Sequence, residues 1–171
     1  MIKTIKYSKD VDLEKELARS QFSYDDVNET VESILKDVKA RGDKALIEYT
    51  EKFDGVKLEN LEVTQEEIQK AFDTIDKELM EVIQYSHDNI KKFHEKQVRN
   101  DFLIRQENGV VLGQVVNPIE KVGLYVPGGT AAYPSTVLMN AVPAKIAGCK
   151  EIIMVTPPTS DGTILPSLLV A

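Results

Sequence analysis

The chain has 171 residues, 42% of them hydrophobic and 29% charged, which suits a globular protein of one or two domains with a real core. Its net charge of −7, from 21 basic and 28 acidic residues with no basic block, argues against nucleic acid or an anionic membrane as the main partner. The single cysteine, Cys149, allows no internal disulfide. No apolar run reaches the roughly 18 residues of a membrane span, and the start MIKTIKYSKDVD lacks a signal-peptide core, so a cytoplasmic location is expected.

Residues 1–22 combine a short β-like start (Ile2, Ile5, Tyr7) with a charged segment and read as an arm that packs on something else. Helix signals begin at Ser23, a hydroxyl N-cap followed by Asp25 and Asp26 in the first turn. Val27, Val31, Ile34, Leu35 and Val38 then recur at helical spacing and mark one apolar face. Gly42 closes that helix by supplying a left-handed residue. Asp43 caps the next helix, whose apolar face is Leu46, Ile47, Tyr49 and Phe53 and which ends at Asp54 and Gly55. Thr64-Gln-Glu-Glu67 is a capping box for a third helix carrying Ile68, Ala71, Phe72 and Ile75. A fourth is expected over residues 76–98, lined on one side by Leu79, Val82, Ile83, Ser86, Ile90, Phe93 and Gln97.

Two β-like runs follow, over residues 101–107 and 110–116, joined at Asn108-Gly109. Asn-Gly between strand patterns predicts a two-residue hairpin turn in which both residues take positive φ. The stretch 122–158, VGLYVPGGTAAYPSTVLMNAVPAKIAGCKEIIMVTPP, then has the spacing of strand, glycine turn, crossover helix and second strand, the βαβ unit of a parallel sheet. The helix is placed over residues 135–147, with only Asn140 and Lys145 polar after Val137, so it must be covered on nearly all sides. Pro143 lies inside it and costs about 3 kcal/mol in an ordinary helix, a kink beneath a ligand or a bend around a neighbour.

Parallel sheets bind ligands beyond the carboxyl ends of their strands, where Tyr125 and the turn Pro127-Gly128-Gly129 fall. Gly123, Gly128 and Gly129 do not form GxGxxG. Either they make a tight turn needing positive φ, or their bare N–H groups and the following helix start accept a cofactor or phosphate. A tyrosine ring at a strand end can stack on a flat group and offer its hydroxyl to a ribose or phosphate. His87 and His94 share a helix face about 10 Å apart along the axis, too far to bind one zinc together, and read as satisfied or solvated side chains. Cys149 reads as a small buried residue rather than a nucleophile.

The segments YVPGG, YPSTVLMNAVPAKIAGC and MVTPP, with Arg41-Gly42-Asp43-Lys44-Ala45-Leu46 and Tyr49-Thr50-Glu51-Lys52-Phe53-Asp54-Gly55 upstream, closely resemble the histidinol dehydrogenases. That resemblance implies an enzyme, when complete, that oxidises L-histidinol to L-histidine in two NAD-dependent steps. It implies a homodimer with an orienting zinc ion and a Glu–His acid–base pair. The family's chains are longer, and the catalytic and zinc residues are expected beyond residue 171, so that no residue of this chain is assigned a catalytic or metal-binding role. It also makes Tyr125, with Gly128 and Gly129, the expected NAD contacts. The expected architecture is α/β. An arm (1–22) precedes a helical layer with a β-hairpin (23–121) and the truncated start of a Rossmann-like, aldehyde-dehydrogenase-like domain (122–171). The apolar end, residues 163–171, reads as a cut inside that domain, and its uncovered surfaces imply self-association. Two rival readings are a stand-alone nucleotide-binding module and another NAD-dependent oxidoreductase of aldehyde-dehydrogenase type.

Overall fold

A computed structural model describes residue 8, residues 25–128 and residues 132–171. The expected arm over 1–22, the Ser23 cap and Gly129 lie outside the described residues. The described chain is α/β: helices α1 (Asp25–Arg41), α2 (Asp43–Asp54), α3 (Gln65–Thr74) and α4 (Lys77–His94), then a hairpin of β1 (Phe102–Arg105) and β2 (Val111–Gln114). Strand β3 (Lys121–Tyr125), helix α5 (Pro134–Ala147), strand β4 (Glu151–Val155) and a short helix α6 (Pro166–Val170) complete it. The chain divides into two compact units, Met1–Ala45 and Leu46–Ala171.

Glycines close the first two helices as their positions predict. Gly42 has φ 61° and donates to the Val38 carbonyl at 2.8 Å, and Gly55 has φ 73°. Asp43 is the first residue of α2 rather than its cap. The apolar stripe of α1 is largely uncovered: Val27, Val31 and Leu35 are exposed, with Ile34 and Val38 half-buried. In α2 the buried position is Ala45, while Leu46 and Phe53 are exposed and Tyr49 stacks on Phe53 with ring centroids 5.7 Å apart. Periodicity marks a face; it does not say what covers it.

Helix α3 starts at the expected capping box. The Thr64 hydroxyl accepts from the Glu67 N–H at 3.2 Å, and the Glu67 carboxylate accepts from the Thr64 N–H at 2.8 Å. Asp76 caps α4 by accepting from the Leu79 N–H at 3.1 Å. That helix is shorter than expected, giving way after His94 to a 3-10 turn, Glu95–Gln97. Its inward face is also narrower: Ile83 is buried and Ile90 partly so, whereas Leu79, Val82 and Phe93 are exposed.

The hairpin forms, but with a different turn. Gly109 alone takes positive φ, at 86°, and no described non-glycine residue does. The Gly109 N–H bonds the Gln106 carbonyl at 3.1 Å and the Gln106 N–H bonds the Val110 carbonyl at 2.9 Å. Asn108 spends its side chain instead on the Val110 N–H, 3.1 Å away. An Asx bond to the residue two ahead competes with the left-handed conformation that a two-residue turn demands of Asn, so the loop lengthens and the glycine takes the bulge.

Strands β3 and β4 pair in parallel, Lys121 opposite Glu151 and Tyr125 opposite Val155, with α5 as the crossover. Lys121 and Glu151 form an exposed ion pair at 2.6 Å where the two strands begin. Helix α5 runs unbroken through Pro143 and ends at Gly148, φ 91°. It packs between two layers but is not covered on nearly all sides as expected, since Met139 is 54% exposed and Asn140 beside it is exposed too. Leu138 and Val142 meet Ile83 of α4, with Ile75, Ile90 and Ile146 around them. Val137 meets Val126 and Leu168, with Met154 and Ile164 around them.

Leu138 is 2% exposed. Leu138→Ala is therefore expected to cost about 2–5 kcal/mol of unfolding free energy, against about 1 kcal/mol for the exposed cap change Thr64→Ala. Urea titrations of both variants beside the unmutated chain check the ranking.

Candidate functional site

The parallel pair presents its carboxyl end at Tyr125 and Val155. Alternation along β3 and β4 leaves Val122, Leu124, Ile152 and Met154 half-buried and Gly123, Tyr125, Ile153 and Val155 exposed. Met154 packs in the cluster that contains Val137 of α5, so Tyr125 stands on the face away from that helix. Its side chain is 65% exposed. Past it, the ladder continues by one bond, from the Val126 N–H to the Val155 carbonyl at 2.9 Å, and Val126 itself is fully buried. The strand end is thus anchored immediately beyond an exposed tyrosine.

Gly128 is glycine for a reason other than positive φ, which it does not adopt. A Cβ there would lie 2.6 Å from Cγ of Pro157, closer than van der Waals contact permits. The loops that leave the two strands press together at this point. Gly123 has open space where its Cβ would be and an ordinary φ. Of the three expected cofactor contacts, Tyr125 and Gly128 therefore lie in one loop region at the sheet's carboxyl end.

A second feature, which sequence reasoning missed, lies beyond the carboxyl end of β4. A groove of about 430 Å³ separates the loop at residues 56–64 from that at 156–164, with Leu58, Thr64, Glu67, Thr156 and Asp161 among its lining. A neighbouring hollow of about 310 Å³ shares Glu67, Asp161 and Ile164 with it. Neither Tyr125 nor Gly128 lines this groove. The Thr156 hydroxyl is buried with no hydrogen-bond partner among the described residues. Asp161 organises the loop: its Oδ1 accepts from the Thr159 hydroxyl, from the Thr163 hydroxyl at 2.8 Å and from the Thr163 N–H at 3.2 Å. The Asp161-Gly162 pair between threonines was a readable turn signal.

The remaining candidates are quieter. His87 donates to the Asp88 carboxylate at 2.9 Å, and this bond, with one from Gln84, lowers the Asp88 pKa. His94 donates from Nδ1 to Gln97 at 2.7 Å, so each imidazole has a partner on or next to its own helix. Cys149 is half-buried just past the end of α5. Among the described residues no group of three or more His, Cys, Asp or Glu side chains comes together to hold a metal ion, and no described helix is long and apolar enough to cross a membrane.

Residues 17–171 match the family model for histidinol dehydrogenase. The chain belongs to the histidinol dehydrogenase family. The histidinol dehydrogenase of Clostridium acetobutylicum is 53% identical to it over 146 residues, which are 85% of this chain and 34% of that one. The histidinol dehydrogenase of Methanocaldococcus jannaschii is 49% identical over 172 residues, covering 100% of this chain and 40% of the relative. In three dimensions it is similar to the crystal structure of histidinol dehydrogenase from Elizabethkingia anophelis. That comparison gives a TM-score of 0.84 and 39% identity over 92% of this chain and 36% of that one. The chain thus spans between 34% and 40% of the length of these relatives.

The three bonds from Thr159 and Thr163 lower the Asp161 pKa from 3.8 to about 2, with the Thr159 hydroxyl the largest cause. A carboxylate depressed by folding adds stability that is fully present above its unfolded value and is lost as pH falls through its folded value. Asp161→Asn is expected to lower the urea midpoint at neutral pH, and the gap to the unmutated chain should close as the pH falls from about 4 to about 2.

Proposed function

We propose that this chain supplies the amino-terminal part of an NAD-dependent histidinol dehydrogenase, an oxidoreductase that converts L-histidinol to L-histidine in two oxidation steps. The observation that carries the reading is the exposed Tyr125 at the carboxyl end of a parallel strand, beside the close-packed Gly128, in a chain of this family. Residues 122–171 are read as the start of a Rossmann-like domain and residues 23–121 as a helical layer with its hairpin. The uncovered face Gly123, Tyr125, Ile153 and Val155 supports that reading, because parallel sheets in α/β proteins are covered on both faces.

NAD, when bound, supplies the hydride acceptor. Tyr125 stacks on or hydrogen-bonds the cofactor, and the backbone N–H groups of Gly128 and Gly129 are its further contacts in this reading. The described residues do not fit the zinc ion that the family implies, having no cluster of ligands for it. Its ligands and the acid–base pair are assigned to the part of the family fold outside these 171 residues. The protein works as a cytoplasmic homodimer in this reading.

In a polypeptide of full family length carrying these residues, Tyr125→Ala should raise KM for NAD by about tenfold or more and leave the fold intact. Tyr125→Phe separates stacking from hydroxyl bonding. Unchanged KM for NAD in both variants would remove Tyr125 from the cofactor site. The 171 residues alone should form no NADH from histidinol in the presence of zinc, and a measurable zinc-dependent rate would contradict the assignment of the catalytic groups.

A further inference from the structure

We propose that Pro157 is a positioning residue for the cofactor contacts after β3, an inference that rests on the NAD reading above. It acts by setting where the loop after that strand runs. The register pairs Tyr125 with Val155, and the Val126 N–H reaches the Val155 carbonyl at 2.9 Å. In a parallel ladder the next bond runs back from the N–H of residue 157 to the carbonyl of residue 126. Residue 157 is a proline and has no N–H to give. Ladder pairing therefore stops at Val126, and beyond it the ring of Pro157 becomes the contact between the two loops.

That contact is close, and it comes from one residue. A Cβ on Gly128 would lie 2.6 Å from Cγ of Pro157, 3.1 Å from its Cδ and 3.3 Å from its carbonyl oxygen. The first two are ring atoms that an alanine lacks, and a small shift relieves the third. Gly128 has no positive φ that would itself call for glycine, so the ring is what excludes a side chain there. Both residues are half-buried, and a proline ring has little freedom to turn aside. Gly128 can therefore lie against β4 only because it is bare, and Pro157 is the wall that fixes how close it comes. Tyr125 is three residues before Gly128 in the same loop region, so displacing Gly128 disturbs the backbone that carries all the expected contacts.

In a polypeptide of full family length carrying these residues, Gly128→Ala keeps the backbone N–H and adds only the Cβ. It should weaken NAD binding, read by calorimetry, and raise KM for NAD by about tenfold or more, with a smaller change in kcat. Pro157→Ala alone should weaken NAD binding by about threefold, and adding it to Gly128→Ala should bring binding back to about that level, because the obstructing ring atoms are gone. Urea midpoints of the same proteins read the contact without any cofactor: the loss caused by Gly128→Ala should be recovered in the double variant. If Gly128→Ala does not fold, Pro157→Ala still decides, since unchanged NAD binding in it would overturn the positioning role. Two substitutions whose effects on binding simply multiply would overturn it as well. Where Tyr125→Ala weakens NAD binding and neither of these substitutions does, the role of Pro157 falls and the cofactor reading stands. Where Tyr125→Ala also leaves binding unchanged, both fall.

Discussion

The structure depends on the covering of α5. With Asn140 and Lys145 its only polar residues after Val137, the helix has little that belongs in water and packs between two layers, leaving Met139 and Asn140 exposed. Burial of Leu138 and Val142 against Ile83 fixes α4 on one side. Burial of Val137 with Val126 and Leu168 fixes the sheet and α6 on the other. The crossover also fixes strand direction, because a helix long enough to return the chain places β4 parallel to β3. Placement of Tyr125 follows: it is the last residue of a strand whose other face is held down by that helix.

That dependence explains where the sequence was legible. The β3–α5–β4 unit was readable to within a residue or so because its signals are local and agree: β-branched runs, a glycine turn, Gly148 after the helix, and paired prolines after β4. The capping box at Thr64 and the glycine stops at Gly42 and Gly55 were readable for the same reason. Local signals failed where a side chain had two uses. Asn108 could have taken a left-handed backbone and instead bonds Val110 through its amide oxygen. They also failed wherever the question was what lies opposite a face. The stripes on α1 and α4 are correct as periodicities, yet Val27, Val31, Leu35 and Phe93 meet solvent.

The groove beyond β4 was out of reach for a deeper reason. Its walls come from residues 56–64 and 156–164, about a hundred positions apart, and no pattern in either segment names the other. Only the turn on its rim left a trace, in Thr159-Ser160-Asp161-Gly162-Thr163, where one carboxylate oxygen gathers three donors. The glycines of the candidate site are a middle case. Their presence was legible, but Gly128 is required by the approach of Pro157 rather than by its own backbone angle, and a contact between two loops is a tertiary fact.

That contact bears on how a strand-end tyrosine is held. Tyr125 has no packing of its own to orient it, being mostly exposed. Its backbone, however, is fixed on both sides. Pairing with Val155 holds it from within the ladder, and the Val126 N–H bond to the Val155 carbonyl holds it from beyond. Two residues further on, Gly128 is pressed against Pro157, a ring with little freedom to give way. The loop after β3 is therefore positioned by the loop after β4 rather than by a glycine fingerprint of its own. A side chain can remain open to a ligand while its main chain is rigid only when the burial is done by its neighbours, and the fully buried Val126 does that here.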